Sequence, residues 1–203
     1  MRLDLSLYLV TDPGLCARAG LVETVVAAVR GGVTVVQLRD KHASDAEMID
    51  QARRLKAALA GTGVPLIIND RLTVALESGA DGLHIGQDDG DVAAAREALG
   101  EGAILGLSVQ RHDQLARVDV EQLDYLGLGP VFATPSKHDH SEPLGFSGLA
   151  SLVAASPLSS VAIGGLKAEH TSAVRDTGAG GLAVISAICG QADPEAAARR
   201  FFV

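Results

Sequence analysis

Short apolar runs that end in polar clusters recur along the chain, and a segment with helical spacing follows most of them. The pattern is clearest between residues 65 and 89, where one apolar run ends at Asn69-Asp70-Arg71 and the next ends at Gln87-Asp88-Asp89. Runs of this length and composition are typical of buried β-strands. The pattern therefore predicts strands that alternate with helices, each strand carrying polar side chains at its C-terminal end.

Eight strands and eight helices are predicted in this way. The strands cover residues 7–12, 33–38, 65–68, 82–86, 103–107, 123–128, 160–163 and 181–184. The helices cover residues 21–30, 44–60, a short segment after the third strand, 91–99, 112–118, 147–155, 168–177 and a last segment that starts at Asp193-Pro194. A capping box from Ser44 to Glu47 and the Asp-Pro pair mark two of the helix starts.

A repeated junction supports this count of units. Gly32, Gly79 and Gly178 each stand where a helix stops and an apolar run follows, and they are separated by two and four units of about 25 residues. Eight strand-helix units of this length predict an α/β fold, a (β/α)8 TIM barrel in which residues 1–203 form one domain. A doubly wound open sheet is the alternative architecture.

The size and charge of the chain narrow the range of functions that it could have. The chain has 203 residues, of which 47% are hydrophobic, which suits one well-buried core. A net charge of -8 disfavours a nucleic-acid or anionic membrane surface, because both require a basic patch. Aromatic residues make up 3% of the chain and Trp is absent, which leaves little material for stacking on bases. No nucleic-acid or membrane partner is expected, and the oligomeric state is left open between a monomer and a homo-oligomer.

The two cysteines, Cys16 and Cys189, have no metal-ligand spacing and form no disulfide framework, so the cytoplasm is the expected location. The first residues lack the pattern of a signal peptide, and no apolar run reaches the roughly 18 residues of a membrane span. Cys16 and Cys189 follow the first and eighth predicted strands, which are neighbours in a closed barrel. A disulfide between them is not expected in a reducing compartment.

The C-terminal ends of the predicted strands form a dense polar ring. In a TIM barrel these ends meet at one mouth, where active sites of this fold lie. The ring comprises Gln37, Arg39, Lys41, Asn69, Asp70, Asp89, Ser108, Thr134, Ser136, Lys137, Gly165 and Ser186. A purely structural mouth would need only small turn residues and caps, so the concentration of charged groups predicts a functional site.

Asp70 and Asp89 follow neighbouring strands and could share one hard cation such as Mg²⁺. This ion takes one or two carboxylates and leaves its other positions to water and phosphate oxygens. The alternative is that both residues are helix N-caps, since each precedes a helical pattern. The sequence alone leaves the two interpretations open.

Two anion sites are predicted around this pair. Arg39 and Lys41, together with Lys137 from the long polar loop, suit the oxygens of a diphosphate. Gly164-Gly165 after the seventh strand and Ile185-Ser186 after the eighth stand where this fold commonly binds a phosphomonoester. The mouth would then join a phosphorylated nucleophile to a diphosphate ester with loss of pyrophosphate. His84 is interpreted either as a satisfied core histidine or as a ligand, and no metal role is assigned to His138 or His140.

Several motifs resemble those of the thiamine phosphate synthase family, in family order and over nearly the whole chain. They are Gln37-Leu38-Arg39-Asp40-Lys41, Ile68-Asn69-Asp70-Arg71, residues 82–89, Gly106-Leu107-Ser108, residues 127–130 and residues 162–166. The resemblance implies a transferase that condenses 4-amino-2-methyl-5-hydroxymethylpyrimidine diphosphate with 4-methyl-5-(2-phosphoethyl)thiazole, or with its carboxylated form. The products would be thiamine monophosphate and pyrophosphate.

The resemblance also implies a role for each matching residue. Pyrimidine diphosphate would be bound by Gln37, Leu38, Arg39, Asp40, Lys41, Asn69, Ser108 and Lys137. Thiazole phosphate would be bound by Thr134, Pro135, Ser136, Gly165, Ile185 and Ser186. Asp70 and Asp89 would hold Mg²⁺, and Arg39, Lys41 and Lys137 would stabilise the departing pyrophosphate in a dissociative mechanism. Ser136 stands where the family usually has Thr, which keeps the hydroxyl group.

Two other functions remain as alternatives. A thiazole tautomerase of the same superfamily would share the fold and the thiazole-phosphate site, but it would have no use for Asp70, Asp89 and the cations. A noncatalytic barrel that binds a phosphorylated metabolite could keep the phosphate site while losing the metal carboxylates.

Overall fold

Eight parallel strands form a closed barrel in the structure, a computed structural model that describes residues 3–133 and 142–202. The strands are β1 (Leu7–Val10), β2 (Val35–Leu38), β3 (Leu66–Asn69), β4 (Gly82–Ile85), β5 (Ile104–Val109), β6 (Tyr125–Leu128), β7 (Ser160–Ala162) and β8 (Gly181–Val184). They follow one another around the barrel in chain order. Strand β1 pairs in parallel with both β2 and β8, so the sheet has no open edge. The TIM barrel is confirmed, and the open sheet was the wrong alternative.

Helices follow the strands on the outside of the barrel. They are α1 (Pro13–Cys16), α2 (Leu21–Arg30), α3 (Asp45–Leu59), α4 (Leu72–Ser78), α5 (Val92–Leu99), α6 (His112–Leu115), α7 (Gly145–Ala155), α8 (Thr171–Asp176) and α9 (Pro194–Arg199). Short 3-10 helices at Ala168–His170 and Arg200–Phe202 complete the described elements. The predicted helix over 168–177 therefore begins with a 3-10 turn. Helix α1 was not predicted.

Local sequence signals explain several element boundaries. Ser44 and Glu47 form the predicted capping box at the start of α3, and the side chain of Asp193 accepts a hydrogen bond at the start of α9. The three junction glycines, Gly32, Gly79 and Gly178, all adopt positive φ angles, which a residue without a Cβ adopts at little cost. The repeated junction in the sequence therefore corresponds to a positive φ angle at each of the three glycines.

The alternation of side chains along each strand creates two cores. Residues such as Leu38 and Ile68 point outward and pack against the helices. Tyr8, Val35 and Tyr125 belong to a second cluster that fills the barrel interior. Inward-facing positions beyond this cluster lie at the C-terminal ends of the strands, and there they become polar. In the described residues no helix is long and apolar enough to span a bilayer.

Candidate active site at the strand ends

Strand register places three predicted ligand-binding side chains on the inner face of the barrel near its C-terminal mouth. Gln37 on β2, Asn69 on β3 and Ser108 on β5 share the inward parity of their strands. Gln37 and Ser108 are buried, and Asn69 is half-buried. Leu38 is also buried, but it belongs to the helix-facing core, so it could reach a ligand only through its backbone.

Asp70 stands at the end of β3 in an unusual backbone conformation. Its φ angle of 62° lies in the left-handed region. Among the described residues other than glycine, Asp70 alone has a positive φ. Such a conformation is costly for a residue with a Cβ and occurs preferentially at functional sites. Asn69 donates a hydrogen bond from Nδ2 to one Asp70 carboxylate oxygen at 2.6 Å, and Lys41 donates to the other. The carboxylate is therefore held at a fixed place by two neighbours.

The electrostatics of this carboxylate indicate a site for a positive charge. Burial raises the pKa of Asp70 above its ordinary value, and the neighbouring carboxylate of Asp89 raises it further, whereas the ammonium of Lys41 opposes both. A second carboxylate this close to Asp70 makes the place suitable for a bound cation. Asp89 is fixed in turn by the backbone N–H of Gly86, which donates to its Oδ2 at 2.7 Å.

Neither carboxylate is a helix cap, so the cap interpretation was wrong. Helix α4 has Arg71 at its N-cap position without a side-chain hydrogen bond. Helix α5 is capped by Asp91, whose Oδ1 accepts from Ala94 at 2.8 Å. Asp70 and Asp89 are thus available to a ligand.

The pair has the composition that Mg²⁺ requires. No cluster of three or more His, Cys, Asp or Glu side chains that could hold a metal ion occurs within residues 3–133 and 142–202. Two carboxylates at the mouth do fit Mg²⁺, because this ion usually keeps several waters and shares phosphate oxygens with a bound substrate.

The loop that carries Lys41 is fixed from two sides. Asp40 accepts hydrogen bonds from the backbone N–H groups of His42 and Ala43 at 2.9 and 3.0 Å. Arg71 donates to the carbonyl oxygens of Ala43 at 2.6 Å and Asp40 at 3.2 Å. Asp40 and Arg71 therefore shape the loop that presents the Lys41 ammonium. The positioning role of Arg71 was not predicted from the sequence.

Arg39 is placed by strand pairing and by a side chain of the neighbouring strand end. The hydroxyl of Thr11 accepts a hydrogen bond from the Arg39 backbone N–H at 3.0 Å. Arg39 is two residues beyond Gln37 and shares its inward parity. Arg39 therefore stands at the mouth, directly after the end of β2 and two residues before Lys41.

The predicted phosphomonoester site has the expected backbone. Gly164 and Gly165 have φ angles of 94° and 66°. A Cβ at position 165 would lie 2.8 Å from the Cβ of Phe132, so the loop after β7 packs tightly against the segment that follows β6. After β8, Ile185 accepts the backbone N–H of Cys189 in a turn, and Ser186 is exposed. Gly165, Ile185 and Ser186 thus all lie at the same end of the barrel.

Other predicted residues lie outside the part of the chain that the structure describes. Thr134, Pro135, Ser136 and Lys137 fall between residues 133 and 142, as do His138 and His140. Their assigned roles stay predictions. A Cβ at Gly165 would meet Phe132 and Ala133, the last described residues before this segment.

His84 is a satisfied interior histidine. Its Nδ1 lies 2.9 Å from the hydroxyl of Tyr125, and its Nε2 lies 2.9 Å from the hydroxyl of Ser108. Tyr125 contacts the hydroxyl of Tyr8 at 2.7 Å, and Gln37 donates to Tyr8 at 2.8 Å. A chain of hydrogen bonds thus joins two predicted ligand-binding residues through the barrel interior. This hydrogen-bonded chain could not be predicted from the sequence, because its tyrosines lie in apolar runs.

The two cysteines are neighbours, as the barrel topology predicts. Both are buried and free, and the Sγ atoms of Cys16 and Cys189 lie 3.4 Å apart. This pair joins α1 to the turn after β8.

Fold and site together define a TIM-barrel protein whose mouth carries paired carboxylates, cationic side chains and a glycine-rich phosphate loop. The family model described as thiamine monophosphate synthase matches residues 7–188. The thiamine-phosphate synthase of Psychrobacter sp. PRwf-1 is 54% identical and covers 96% of this chain and 92% of its own length. That of Azorhizobium caulinodans is 51% identical, with 97% and 92% covered.

A solved structure agrees with these relatives. Thiamine phosphate pyrophosphorylase from Pyrococcus furiosus superposes with a TM-score of 0.89 at 33% identity and covers 99% of this chain and 95% of its own. The chain belongs to the thiamine monophosphate synthase family. The predictions of this family and of an enzyme are thereby confirmed. A 3-hexulose-6-phosphate synthase, with 17% identity and a TM-score of 0.65, shares the fold alone.

Proposed function

We propose that this enzyme joins 4-amino-2-methyl-5-hydroxymethylpyrimidine diphosphate to 4-methyl-5-(2-phosphoethyl)thiazole, or to its carboxylated form with additional loss of CO2, and releases thiamine monophosphate and pyrophosphate. The observation that carries the proposal is the cluster of Lys41, Asn69, Asp70 and Asp89. It combines a cation with paired carboxylates at the ends of neighbouring strands. A diphosphate needs a cationic side chain, and its metal ion needs carboxylates, so both kinds of charge must lie at one place.

The diphosphate would be bound by Gln37, Leu38, Arg39, Asp40, Lys41, Asn69, Ser108 and Lys137. Arg39 offers a planar guanidinium to phosphate oxygens, and Lys41 offers a point charge. The side chain of Lys41 is half exposed although it pairs with Asp70, so it can reach a ligand at the mouth. Asp40 contributes through the loop that it stabilises, since two backbone N–H groups already occupy its carboxylate.

Asp70 and Asp89 would hold Mg²⁺. When bound, this ion supplies positive charge to the phosphate oxygens of the leaving group. Asn69 and Lys41 keep the Asp70 carboxylate in place, and the backbone of Gly86 keeps Asp89 in place. The chain thus orients both carboxylates before a ligand arrives, which lowers the cost of binding.

The reaction would begin with cleavage of the bond between the pyrimidine methylene carbon and the diphosphate oxygen. Both electrons leave with pyrophosphate, whose charge Arg39, Lys41 and Lys137 stabilise. The resulting pyrimidine methyl cation is then attacked by the thiazole nitrogen, which supplies the electron pair of the new bond. No proton is transferred in either step, so the chemistry needs no general base.

The thiazole phosphate would be bound by Thr134, Pro135, Ser136, Gly165, Ile185 and Ser186. The left-handed backbone at Gly165 supports this role, because it lets a phosphate approach the backbone closely. Ser186 is exposed at the neighbouring strand end and can offer a hydroxyl group. The two substrates would therefore enter from opposite sides of one mouth.

The alternatives are not favoured. A thiazole tautomerase or a noncatalytic binding barrel would have no use for the paired carboxylates, and the relatives are synthases by name. We also infer that residues 1–203 act as one domain. The cytoplasmic location and the oligomeric state stay predictions.

The test is release of pyrophosphate by the purified protein with both substrates and Mg²⁺. We expect release to need both substrates and the metal, to stop with EDTA, and to fall at least about a hundredfold in Asp70→Asn and Asp89→Asn. Asp88→Asn is the matched control, because it removes the exposed carboxylate next to Asp89. Unchanged release with EDTA would contradict the metal role, and no release from the wild type under any condition would contradict the synthase.

A further inference from the structure

Five polar side chains form a continuous chain of hydrogen bonds across the barrel interior. Gln37 donates from Nε2 to the hydroxyl of Tyr8 at 2.8 Å, and the hydroxyls of Tyr8 and Tyr125 lie 2.7 Å apart. Tyr125 is 2.9 Å from Nδ1 of His84, whose Nε2 is 2.9 Å from the hydroxyl of Ser108. The two ends of this interior chain, Gln37 and Ser108, are both predicted to bind the pyrimidine diphosphate.

Counting the protons of these side chains assigns a donor and an acceptor to each hydrogen bond of the interior chain. A phenol has a single proton, so Tyr8, which accepts from Gln37, is free to donate to Tyr125. Tyr125 then accepts from Tyr8 and donates its own proton to Nδ1 of His84. An imidazole nitrogen that accepts is unprotonated, so the neutral His84 carries its proton on Nε2 and donates it to Ser108.

Burial keeps this order in place. Tyr8 and Tyr125 are 1% and 0% exposed, so water does not compete for their hydroxyls. Burial also raises the pKa of both phenols, and each therefore keeps its proton at neutral pH. In a buried network, a group without its partner would cost far more than in water, which favours one fully satisfied arrangement.

The surrounding backbone leaves space for this arrangement. A Cβ at Gly106 would lie 2.2 Å from Cζ of Tyr125 and 2.6 Å from Nδ1 of His84, the two partners of one hydrogen bond in the interior chain. A Cβ at Gly127 would lie 3.2 Å from Cε1 of His84. Both glycines occur in the family-like motifs of the sequence. Their lack of a side chain is what admits the two rings to the interior.

We propose that the interior chain orients the Ser108 hydroxyl as a hydrogen-bond donor toward the bound pyrimidine diphosphate. The inference rests on the proposed function for the identity of the ligand. Because Ser108 accepts from His84, its own proton is directed elsewhere, and no described residue accepts it. Tyr8, Tyr125 and His84 are positioning residues, since they act on the substrate through Ser108.

The first experiment determines the tautomer of His84, and hence the direction of the hydrogen bonds in the interior chain, without any substrate. Two-dimensional ¹⁵N–¹H spectra of histidine-labelled protein distinguish the two neutral tautomers, and comparison with His84→Gln assigns the His84 signal. We expect the Nε2–H tautomer in the wild type and a shift toward Nδ1–H in Tyr125→Phe, because that change removes the donor to Nδ1. An Nδ1–H tautomer or a protonated imidazole in the wild type would overturn the proposal.

The second experiment measures the KM of each substrate in Tyr125→Phe. We expect the KM for the pyrimidine diphosphate to rise about tenfold and the KM for the thiazole phosphate to stay unchanged, because one hydrogen bond to the first substrate loses its fixed direction. Thr177→Val is the matched control. It removes a hydroxyl bonded at 2.6 Å to the carbonyl of Val174, beyond the end of α8, and should change neither KM.

The outcomes separate this inference from the proposed function. A wild type that makes no product contradicts the synthase, while the spectra still decide the direction of the interior chain. An active wild type with equal changes of both KM values in Tyr125→Phe, or with no change in either, overturns the inference and leaves the synthase standing. A thermal unfolding curve for Tyr125→Phe with a single transition shows that the KM values belong to folded protein.

Discussion

The ammonium group of Lys41 contacts the carboxylate of Asp70, which joins the loop after β2 to the end of β3. The side chain of Lys41 is 50% exposed and that of Asp70 is 16% exposed. An ion pair this accessible to water adds little to the stability of the fold. Its position at the mouth, beside Asp89, therefore points to ligand binding as the reason for its presence.

We expect Lys41→Met to lower kcat about a hundredfold, because a cation that stabilises the leaving pyrophosphate is lost. The free energy of unfolding should change by less than about 1 kcal/mol, since the pair is partly exposed. Steady-state pyrophosphate release and urea unfolding measure the two effects.

Lys56→Met is the matched control for this change. Lys56 pairs with Asp81 at 2.6 Å, and Asp81 directly precedes β4, at the opposite end of the barrel from the mouth. Loss of this pair should leave kcat unchanged. A comparable fall in kcat in both variants would show that Lys41 acts through the stability of the barrel.

Arg71→Lys should weaken binding of the pyrimidine diphosphate. The Arg71 guanidinium donates to the carbonyls of Ala43 and Asp40, and a lysine lacks the planar fork needed for both. We expect the KM for this substrate to rise about tenfold, because the loop that carries Lys41 loses its support. Initial rates at varied concentrations of each substrate give the KM values.

The control for Arg71 is Arg96→Lys. Arg96 also donates to loop carbonyls, those of Gln122 at 2.9 Å, Gly100 at 3.0 Å and Ala103 at 2.7 Å, but it does so at the N-terminal end of the barrel. Both substitutions should lower the free energy of unfolding by about 1 kcal/mol. If Arg96→Lys raised the same KM, the effect of Arg71 would be one of general stability.

The sequence predicted the barrel because its strands are buried runs between recurring glycine junctions. Gly32, Gly79 and Gly178 all have a positive φ angle, and glycine is the residue that adopts such an angle at little cost. Helix α1 could not be predicted, because four residues are too short to show helical periodicity. Asp12 accepts from the backbone N–H of Leu15 at its start, so the Pro13-Gly14 pair begins a helical turn directly after the first predicted strand.

Site residues could be predicted from the sequence where the alternation of side chains along a strand determines which of them face the barrel interior. Gln37, Asn69 and Ser108 face the interior because side chains alternate along a strand. The bond between Tyr8 and Tyr125 spans 117 positions and joins two residues from apolar runs, so nothing local indicates it. The role of Arg71 could not be predicted from the sequence either, because its acceptors are backbone carbonyls that every residue has.

Asp40→Asn should reduce stability in a pH-dependent way. Burial opposes ionisation of Asp40, but the N–H groups of His42 and Ala43 outweigh it and hold the pKa of this carboxyl below its ordinary value. A depressed pKa in the folded state stabilises the fold above the ordinary value of 3.8, and this contribution is lost as the pH falls through the depressed value.

The difference in free energy of unfolding between wild type and Asp40→Asn should therefore be full at neutral pH and shrink below about pH 4. Urea titrations across this range measure it. A difference that stays constant down to acid pH would show that the charge of Asp40 is not what stabilises the loop.

Gly165→Ala should weaken binding of the thiazole phosphate. The φ angle of Gly165 is 66°, and an added Cβ would lie 2.8 Å from the Cβ of Phe132 and 2.9 Å from the carbonyl of Ala133. Gly79→Ala is the control, because its φ of 70° imposes the same backbone strain with no atom within 4 Å of the added Cβ. Both variants should lose about 1 kcal/mol of stability from the left-handed conformation. Only Gly165→Ala should raise the KM for thiazole phosphate, because its loop must move away from Phe132. An equal rise in both variants would place the phosphate elsewhere.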